Sequence, residues 1–362
     1  MLAAPREAGT PEAAAARAAV AAHLEALGFE VSLEPIRFDP SPLWTFPILG
    51  AGLAALGVAL LPLLIVADAP AWGAAAVWAS ATAGLAACAA RVGTGRARLR
   101  FAGAARQDAN LVATRGTPPR RWIVAHLDTK AQGHSMAGRL VAVWSLLAAA
   151  AVLAALAGAR LAGRVDPGAA AAAAALALAA GALAARGRPR GRTVGARDNA
   201  SGVLAALEAA AALAADGGPS ATGIVITGAE ELGLVGARAF AAARGTELRG
   251  CEIVNLDTLD DTGVLAVVSH DGGGAALAER VAAALGVLGI PVRSRRLPLG
   301  ILVDSLPLAR AGAQAVTVAR LDWSTLRRLH TARDTADGLA FATAERVGRA
   351  LGRSFDLSPT LR

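Results

Sequence analysis

GIVITGAEELGLVG, residues 223–236, places a short β-branched run directly before two adjacent carboxylates, Glu230 and Glu231. GIVIT reads as a buried strand. Neighbouring like charges repel, so the pair is either solvated or held by something strongly positive, and a divalent metal would qualify. The arrangement recurs elsewhere in the chain. WIVAH (122–126) ends in His126-Leu127-Asp128, and CEIVNL (251–256) runs into Asp257. Three strands thus carry metal-capable side chains at their carboxyl ends, where open α/β sheets place their sites. GVLAVVS (263–269) and AQAVTVA (313–319) read as further strands, and helices are expected over 11–27, 200–215, 232–243, 273–288 and 338–352. The alternation predicts an α/β domain with a mostly parallel central sheet.

Two further stretches are ordinary when taken singly. GARDNASGV (195–203) sets Asp198 before an Ala-rich helix, where it reads as an N-terminal cap. LHTARDTADGL (329–339) carries His330 in a loop before the last helix. Read in order, AHLDT, RDNASGV, AEELGLVG, VNLDT and LHTARDT resemble the landmarks of the zinc aminopeptidase and glutamate carboxypeptidase superfamily, peptidase clan MH. The resemblance extends to the opening segment RAAVAAHLEALGFEVSLEPI and to NLVATRG at 110–116.

That resemblance implies a three-layer α/β/α zinc-exopeptidase fold and two zinc ions. Asp198 would bridge them, with His126 and Asp257 completing one site and Glu231 and His330 the other; nitrogen and carboxylate donors suit zinc. Asp128 would hydrogen-bond the His126 imidazole and fix its tautomer. Glu230 would be the general base for hydrolysis of a peptide substrate. An aminopeptidase is the first expectation. A carboxypeptidase or a glutaminyl-cyclase-like enzyme on the same fold is the alternative, and a non-catalytic membrane scaffold is a third reading. The chain departs from the family in VDSLPLARAG, where Asp304 and Gly312 match but Ser305 stands at a histidine position, and in having no tyrosine. His23, His134 and His270 read as structural or surface histidines, and Arg327 and Arg328 as a solvated face.

Both departures of greatest length are apolar. Runs at about 46–67, 71–90, 140–159 and 167–185 are each long enough to span, since roughly 20 helical residues cover about 30 Å of hydrocarbon. They form two hairpins, joined by ADAPAW and RLAGRVDPG. The fourth run is mostly Ala, a weak membrane residue, and its alternative reading is a buried soluble helix. Charged residues are 18% of the 362, below the roughly 25% of soluble domains, which agrees with a lipid bilayer as partner. The spans contain essentially no ionisable residue, which argues against a transporter. The predicted organisation is peptidase domain over 1–44, 92–139 and 188–362, interrupted by transmembrane hairpins at 45–91 and 140–187.

The formal charge is +8 and almost wholly Arg. These residues sit beside the apolar runs without interleaved aromatics, so no nucleic-acid partner is expected. Arg91, Arg96, Arg98, Arg100 and Arg106 follow the first hairpin, and Arg186, Arg188, Arg190, Arg192 and Arg197 the second. The opposite loops offer Asp68 in one and Arg160, Arg164 and Asp166 in the other. This bias predicts an integral protein of a bacterial inner membrane with its polar domain in the cytoplasm. The first 40 residues are too polar for a cleavable signal peptide. Cys88 and Cys251 suggest no disulfide framework, and the oligomeric state stays open.

Overall fold

The computed structural model describes residues 2–66, 70–93, 105–215, 217–270, 272–297 and 301–356. Asp68, Arg96, Arg98 and Arg100 lie outside the described residues, as do the side chains of Arg91 and Cys88. In chain order, helix α1 (Pro11–Ala26) and strand β1 (Glu30–Phe38) precede α2 (Thr45–Ile65) and α3 (Ala71–Gly93). Strand β2 (Arg106–His126) leads to α4 (Met136–Leu161) and α5 (Pro167–Ala185). There follow α6 (Ser201–Ala215), β3 (Ser220–Thr227), α7 (Val235–Arg244), β4 (Glu252–Leu259), β5 (Val264–Ser269), α8 (Ala275–Gly286), β6 (Val292–Arg296), α9 (Ser305–Arg310), β7 (Gln314–Leu321), α10 (Trp323–Leu326) and α11 (Ala342–Asp356). The chain divides into two compact units, one of Met1–Pro40, Ala104–Ala131 and Gly191–Arg362, the other of Ser41–Gly103 and Gln132–Arg190.

The first unit is built on a seven-stranded sheet in the order β1-β2-β4-β7-β5-β6, with β3 also paired to β2. The 121–126 half of β2 runs parallel between β3 and β4, while its 106–114 half runs antiparallel to β1. Successive side chains of a strand face opposite ways, and the core follows that rule. Ile123, Ala125, Ile224, Ile226, Val254 and Leu256 pack under α1, α6, α8 and α11. Trp122, Val124, Val225 and Ile253 pack on the other face against Phe240 of α7 and Leu308 of α9. Helices on both faces make three layers, and the near-continuous apolar strands follow from burial on both sides. The helix α1 starts at a Thr10 cap with Pro11 in its first turn and buries Ala13, Ala16, Val20 and Leu24 at helical spacing.

The sheet is mostly parallel, as expected, with antiparallel pairings of β1 with β2 and of β5 with β7. The edge strand β6, whose sequence VRSRR carries three arginines and one apolar residue, has no alternating apolar pattern to reveal it. Helix α7 begins at Val235 and not at 232, because Gly233 and Leu234 both have left-handed φ values, 99° and 60°.

In the second unit, among the described residues, α2, α4 and α5 are the helices long and apolar enough to cross a membrane; the side chains of the last turns of α3 lie outside the described residues. The Ala-rich α5 buries Ala170, Ala173, Ala177, Ala180 and Ala184 along one stripe. Small residues let its backbone approach α2: a Cβ on Gly181 would fall 2.6 Å from the Gly50 carbonyl oxygen. Val66, which caps α2, accepts from Arg160 of α4 at 2.7 Å through its carbonyl.

Candidate active site

The carboxyl ends of β2, β3 and β4 bring His126, Glu230-Glu231 and Asp257 together, as their strand-end positions suggest. Asp198 and His330 arrive from the turn before α6 and the loop after α10. Asp198 is central. Its Oδ1 lies 3.1 Å from His126 Nε2, and its Oδ2 lies 3.1 Å from His330 Nε2. Asp257 Oδ1 is 3.9 Å from His126 Nε2, and Glu231 Oε1 is 3.4 Å from His330 Nε2. The residues form two groups of three, His126–Asp198–Asp257 and Asp198–Glu231–His330, each with its ligand atoms within 4.8 Å of one another.

Local interactions explain how a flexible turn holds Asp198 there. Asp334, from LHTARDT, is 1% exposed and accepts from the backbone N–H of Arg197 at 2.9 Å and of Asp198 at 3.0 Å. Asn199 accepts from Gly202 N and Thr258 N and donates to the Leu256 carbonyl, so the Asp198 turn is fastened to the end of β4 that carries Asp257. Gly202 is dictated by space, since a Cβ there would lie 2.2 Å from Asn199 Oδ1 and 2.4 Å from the Leu256 oxygen. Three non-glycine residues beside the site, Ala229, Thr258 and His330, have φ near 60°, local strain of the kind that gathers at functional sites.

Asp128 sits differently from the expectation. The imidazole of His126 pairs through Nδ1 with the backbone carbonyl of Asp128 at 3.1 Å, while the Asp128 carboxylate is 3.9 Å away. A carbonyl can only accept, so Nδ1 carries the proton and Nε2 is left as a donor atom for a metal. The carboxylate instead accepts from Glu230 N at 2.9 Å and Glu231 N at 3.1 Å. It therefore holds the Glu-Glu turn, whose amides have no helical partner so close to its start.

The adjacent glutamates differ in charge environment. Burial pushes the Glu230 carboxyl well above its ordinary range, with Glu231, Asp304 and Asp257 adding to the rise against His126. Burial also acts on Glu231, but Lys130 and His330 outweigh it and hold this carboxyl down at about 2. At Asp198, burial is overcome by hydrogen bonds from both imidazoles, and the group lies well below the carboxylate range. Such divergence is how neighbouring acids acquire separate roles. Burial raises Asp304 to about 6; Thr227 donates to its Oδ2, and its Oδ1 is buried without a hydrogen bond.

Several residues here were not singled out in the sequence. Arg6 is fully buried under the site and donates to the carbonyls of Leu127, Val194 and Gly195. Lys130 pairs with Glu231 at 2.6 Å. Arg197, read as a membrane-flanking charge, is 2% exposed and pairs through Nε with Asp260 at 2.8 Å. Only its position after an apolar run suggested a surface role. Of the other histidines, His270 bonds Ser305 Oγ at 2.6 Å, and Ser305 Oγ in turn bonds Thr317; His134 lies in the second unit against Phe46.

Residues 110–354 match the profile of Peptidase family M28. No curated protein matches the sequence. Among solved structures, the chain resembles glutaminyl cyclase of Fimbriiglobus ruber at 17% identity, over 98% of this chain and 90% of that one, with a TM-score of 0.57. It resembles a leucine aminopeptidase precursor of Bacteroides thetaiotaomicron VPI-5482 at 15% identity, over 98% and 92%, TM-score 0.55. A Zn-dependent exopeptidase of Parabacteroides distasonis ATCC 8503 is similar at 13% identity, over 98% and 93%, TM-score 0.57. At such identities the likeness is one of fold. Together with the family match it supports a zinc-dependent hydrolase, and the expected zinc aminopeptidase and glutamate carboxypeptidase superfamily holds. With the profile covering well over half of its length, the chain belongs to Peptidase family M28.

Proposed function

We propose that this protein is a membrane-anchored di-zinc aminopeptidase. The observation that carries the reading is the pair of three-ligand groups sharing Asp198, one carboxylate oxygen to each, with Glu230 alongside. Zinc fits these residues by the chemistry of the donor set, nitrogen and carboxylate oxygen. It also fits because Glu231 Oε1, the oxygen not paired with Lys130, is buried with no hydrogen bond, a costly state for a carboxylate oxygen. His126, Asp198 and Asp257 would hold one ion, and Asp198, Glu231 and His330 the other. When bound, zinc supplies Lewis acidity, polarising a scissile carbonyl and lowering the pKa of a coordinated water.

The chain's own groups do the rest. Glu230 is the general base: its carboxylate, made more basic by burial, accepts a proton from the attacking water and returns it to the leaving amine. The Asp128 carboxylate keeps the Glu230 and Glu231 backbone in place through its two amide contacts. Its carbonyl sets the His126 tautomer. Water is restricted because Glu230 is only 7% exposed, which strengthens charge interactions around the reacting atoms.

Anchoring in a bilayer is supported by α2, α4 and α5 and by the apolar side chains their unit exposes, among them Val58, Trp72, Trp144, Leu147 and Leu161. The predicted boundaries at 45–91 and 140–187 for the two hairpins, and the cytoplasmic placement of the peptidase unit, are part of the same proposal. Arg186, Arg188 and Arg190 support that sidedness, whereas the buried Arg197 does not count toward it.

The test is the zinc content of detergent-purified protein together with hydrolysis of an aminoacyl-amide panel, before and after chelation. Bound zinc with chelator-sensitive release of the N-terminal residue is expected. Zinc-loaded protein that hydrolyses no panel member but cyclises N-terminal glutamine would replace the aminopeptidase with the cyclase. Protection of the peptidase unit from protease in sealed inverted vesicles would overturn the cytoplasmic side.

A further inference from the structure

Lys130 is the only lysine among the 36 lysines and arginines of the chain. Its Nζ lies 2.6 Å from Glu231 Oε2, and the two side chains are 9% and 6% exposed. The other oxygen of that carboxylate, Oε1, is buried, makes no hydrogen bond, and faces His330 Nε2 at 3.4 Å inside the Asp198–Glu231–His330 group. One oxygen is held by a cation and its twin is turned toward the metal ligands.

The identity of the cation matters. Where a chain uses arginine almost everywhere else, a lysine needs a local reason. A guanidinium is a planar fork that takes both oxygens of a carboxylate at once, which would leave Glu231 nothing to offer a metal. An ammonium is a compact point charge that satisfies one oxygen and leaves the other free. Its charge has a second effect: a cation in the adjacent group meets a like charge across a single buried carboxylate, where screening by water is weak. Among the described residues, the other group has no cation of its own at ion-pair distance, Asp198 and Asp257 forming ion pairs with histidines alone; the buried Arg6 is drawn by Asp198, which both groups share.

We propose that Lys130 is a positioning and selectivity residue, which fixes Glu231 as a one-oxygen ligand and makes the Asp198–Glu231–His330 position the weaker, more readily exchanged of the two zinc positions. This rests on the two-zinc reading above. Metal loading is then ordered, with His126–Asp198–Asp257 filling first.

The test is calorimetric titration of zinc into chelator-stripped, detergent-purified full-length protein, as wild type, Lys130→Gln and Lys130→Arg. The wild type takes zinc in two steps, the second weaker by about tenfold or more, the scale on which groups behind a metal ligand act. Lys130→Gln keeps a donor for Oε2 without the charge and tightens the second step by about tenfold. Lys130→Arg claims both oxygens and weakens or abolishes the second step; the first step is unchanged in both variants. Opposite shifts from two long polar side chains at one position are not produced by damage to folding. Two equal steps in the wild type, or shifts of the same sign in both variants, overturn the role of Lys130 and leave the two-zinc reading standing. Protein that binds no zinc overturns both.

Discussion

Truncating Arg6 to alanine tests how the site is supported from below. The guanidinium is fully buried, with Nε donating to Leu127 O at 2.9 Å, Nη1 to Val194 O at 2.7 Å and Nη2 to Gly195 O at 3.2 Å. Leu127 follows His126, and Val194 and Gly195 precede Asp198, so one side chain joins the two loops that carry these residues. Burial lowers the guanidinium to about 10, against the pull of Asp128, Asp334 and Asp198, so it remains a cation at neutral pH. Arg6→Ala takes this donor from the buried carbonyl of Leu127 and the part-buried carbonyls of Leu2, Ala4 and Val194, while Gly195 O keeps the amide of Ala200; each buried carbonyl left unpaired costs about 1–3 kcal/mol. Water entering the space recovers part of this, leaving a loss of about 3 kcal/mol. At about 2–4 °C per kcal/mol for a unit of this size, the melting temperature falls by about 6–12 °C. The assay is tryptophan fluorescence on chelator-stripped protein, with Trp122 packed edge-on against Phe240 as an internal reporter. Zinc is kept out because a ligand would itself raise the melting temperature. Arg6→Lys, with three donors on a point charge, should fall between wild type and alanine. An alanine variant within about 2 °C of wild type, or a lysine variant as unstable as alanine, would refute the argument from donor count.

The remaining predictions concern the site itself. Glu230→Gln keeps size and burial but removes the proton acceptor, so hydrolysis falls about 10²–10⁴-fold with zinc content unchanged; a loss under about tenfold would remove Glu230 from the base role. Asp334→Asn has one acceptor oxygen for two amides, those of Arg197 and Asp198. It should cost about 1–3 kcal/mol and weaken zinc binding by about tenfold, read by competition with a chromogenic chelator. Gly202→Ala drives a methyl into Asn199 Oδ1 and the Leu256 carbonyl, and is expected to destabilise by about 1–3 kcal/mol or more; a normal melting temperature would show that the turn can yield. At His126 burial alone would lower the pKa, but Glu230, Asp198 and Asp257 outweigh it and raise the group well above its ordinary value. The metal-free imidazole therefore carries a proton that zinc must displace. Zinc uptake near neutral pH should release protons, and apparent affinity should rise with pH until the raised pKa is passed, then level off. Asp198 and Glu231, both held low, contribute no proton in that range. Calorimetry in buffers of different ionisation heats measures this, and zero release would contradict it.

The sequence by itself determined which residues stand at the ends of β2, β3 and β4 and which turn precedes α6. Strand length, burial pattern and punctuation are local properties, and a side chain one or two residues past a strand has little freedom in where it goes. That is why His126, Asp128, Glu230, Glu231 and Asp257 stand out in the sequence, while Asp198 and His330 are marked only by the family resemblance; all seven are found in one cluster. What only the tertiary structure decided is the company these residues keep. Arg6 reaches Gly195 across 189 positions of chain, and Arg197 reaches Asp260 across 63. Asp128 turns its carbonyl and not its carboxylate to His126, and Lys130 takes one oxygen of Glu231 and leaves the other. The antiparallel pairing of β5 with β7 belongs to the same class. Nothing in a side chain's type or its near neighbours fixes such partners. They follow from which buried donors and acceptors remain unpaired once the layers have packed, and that count exists only in three dimensions.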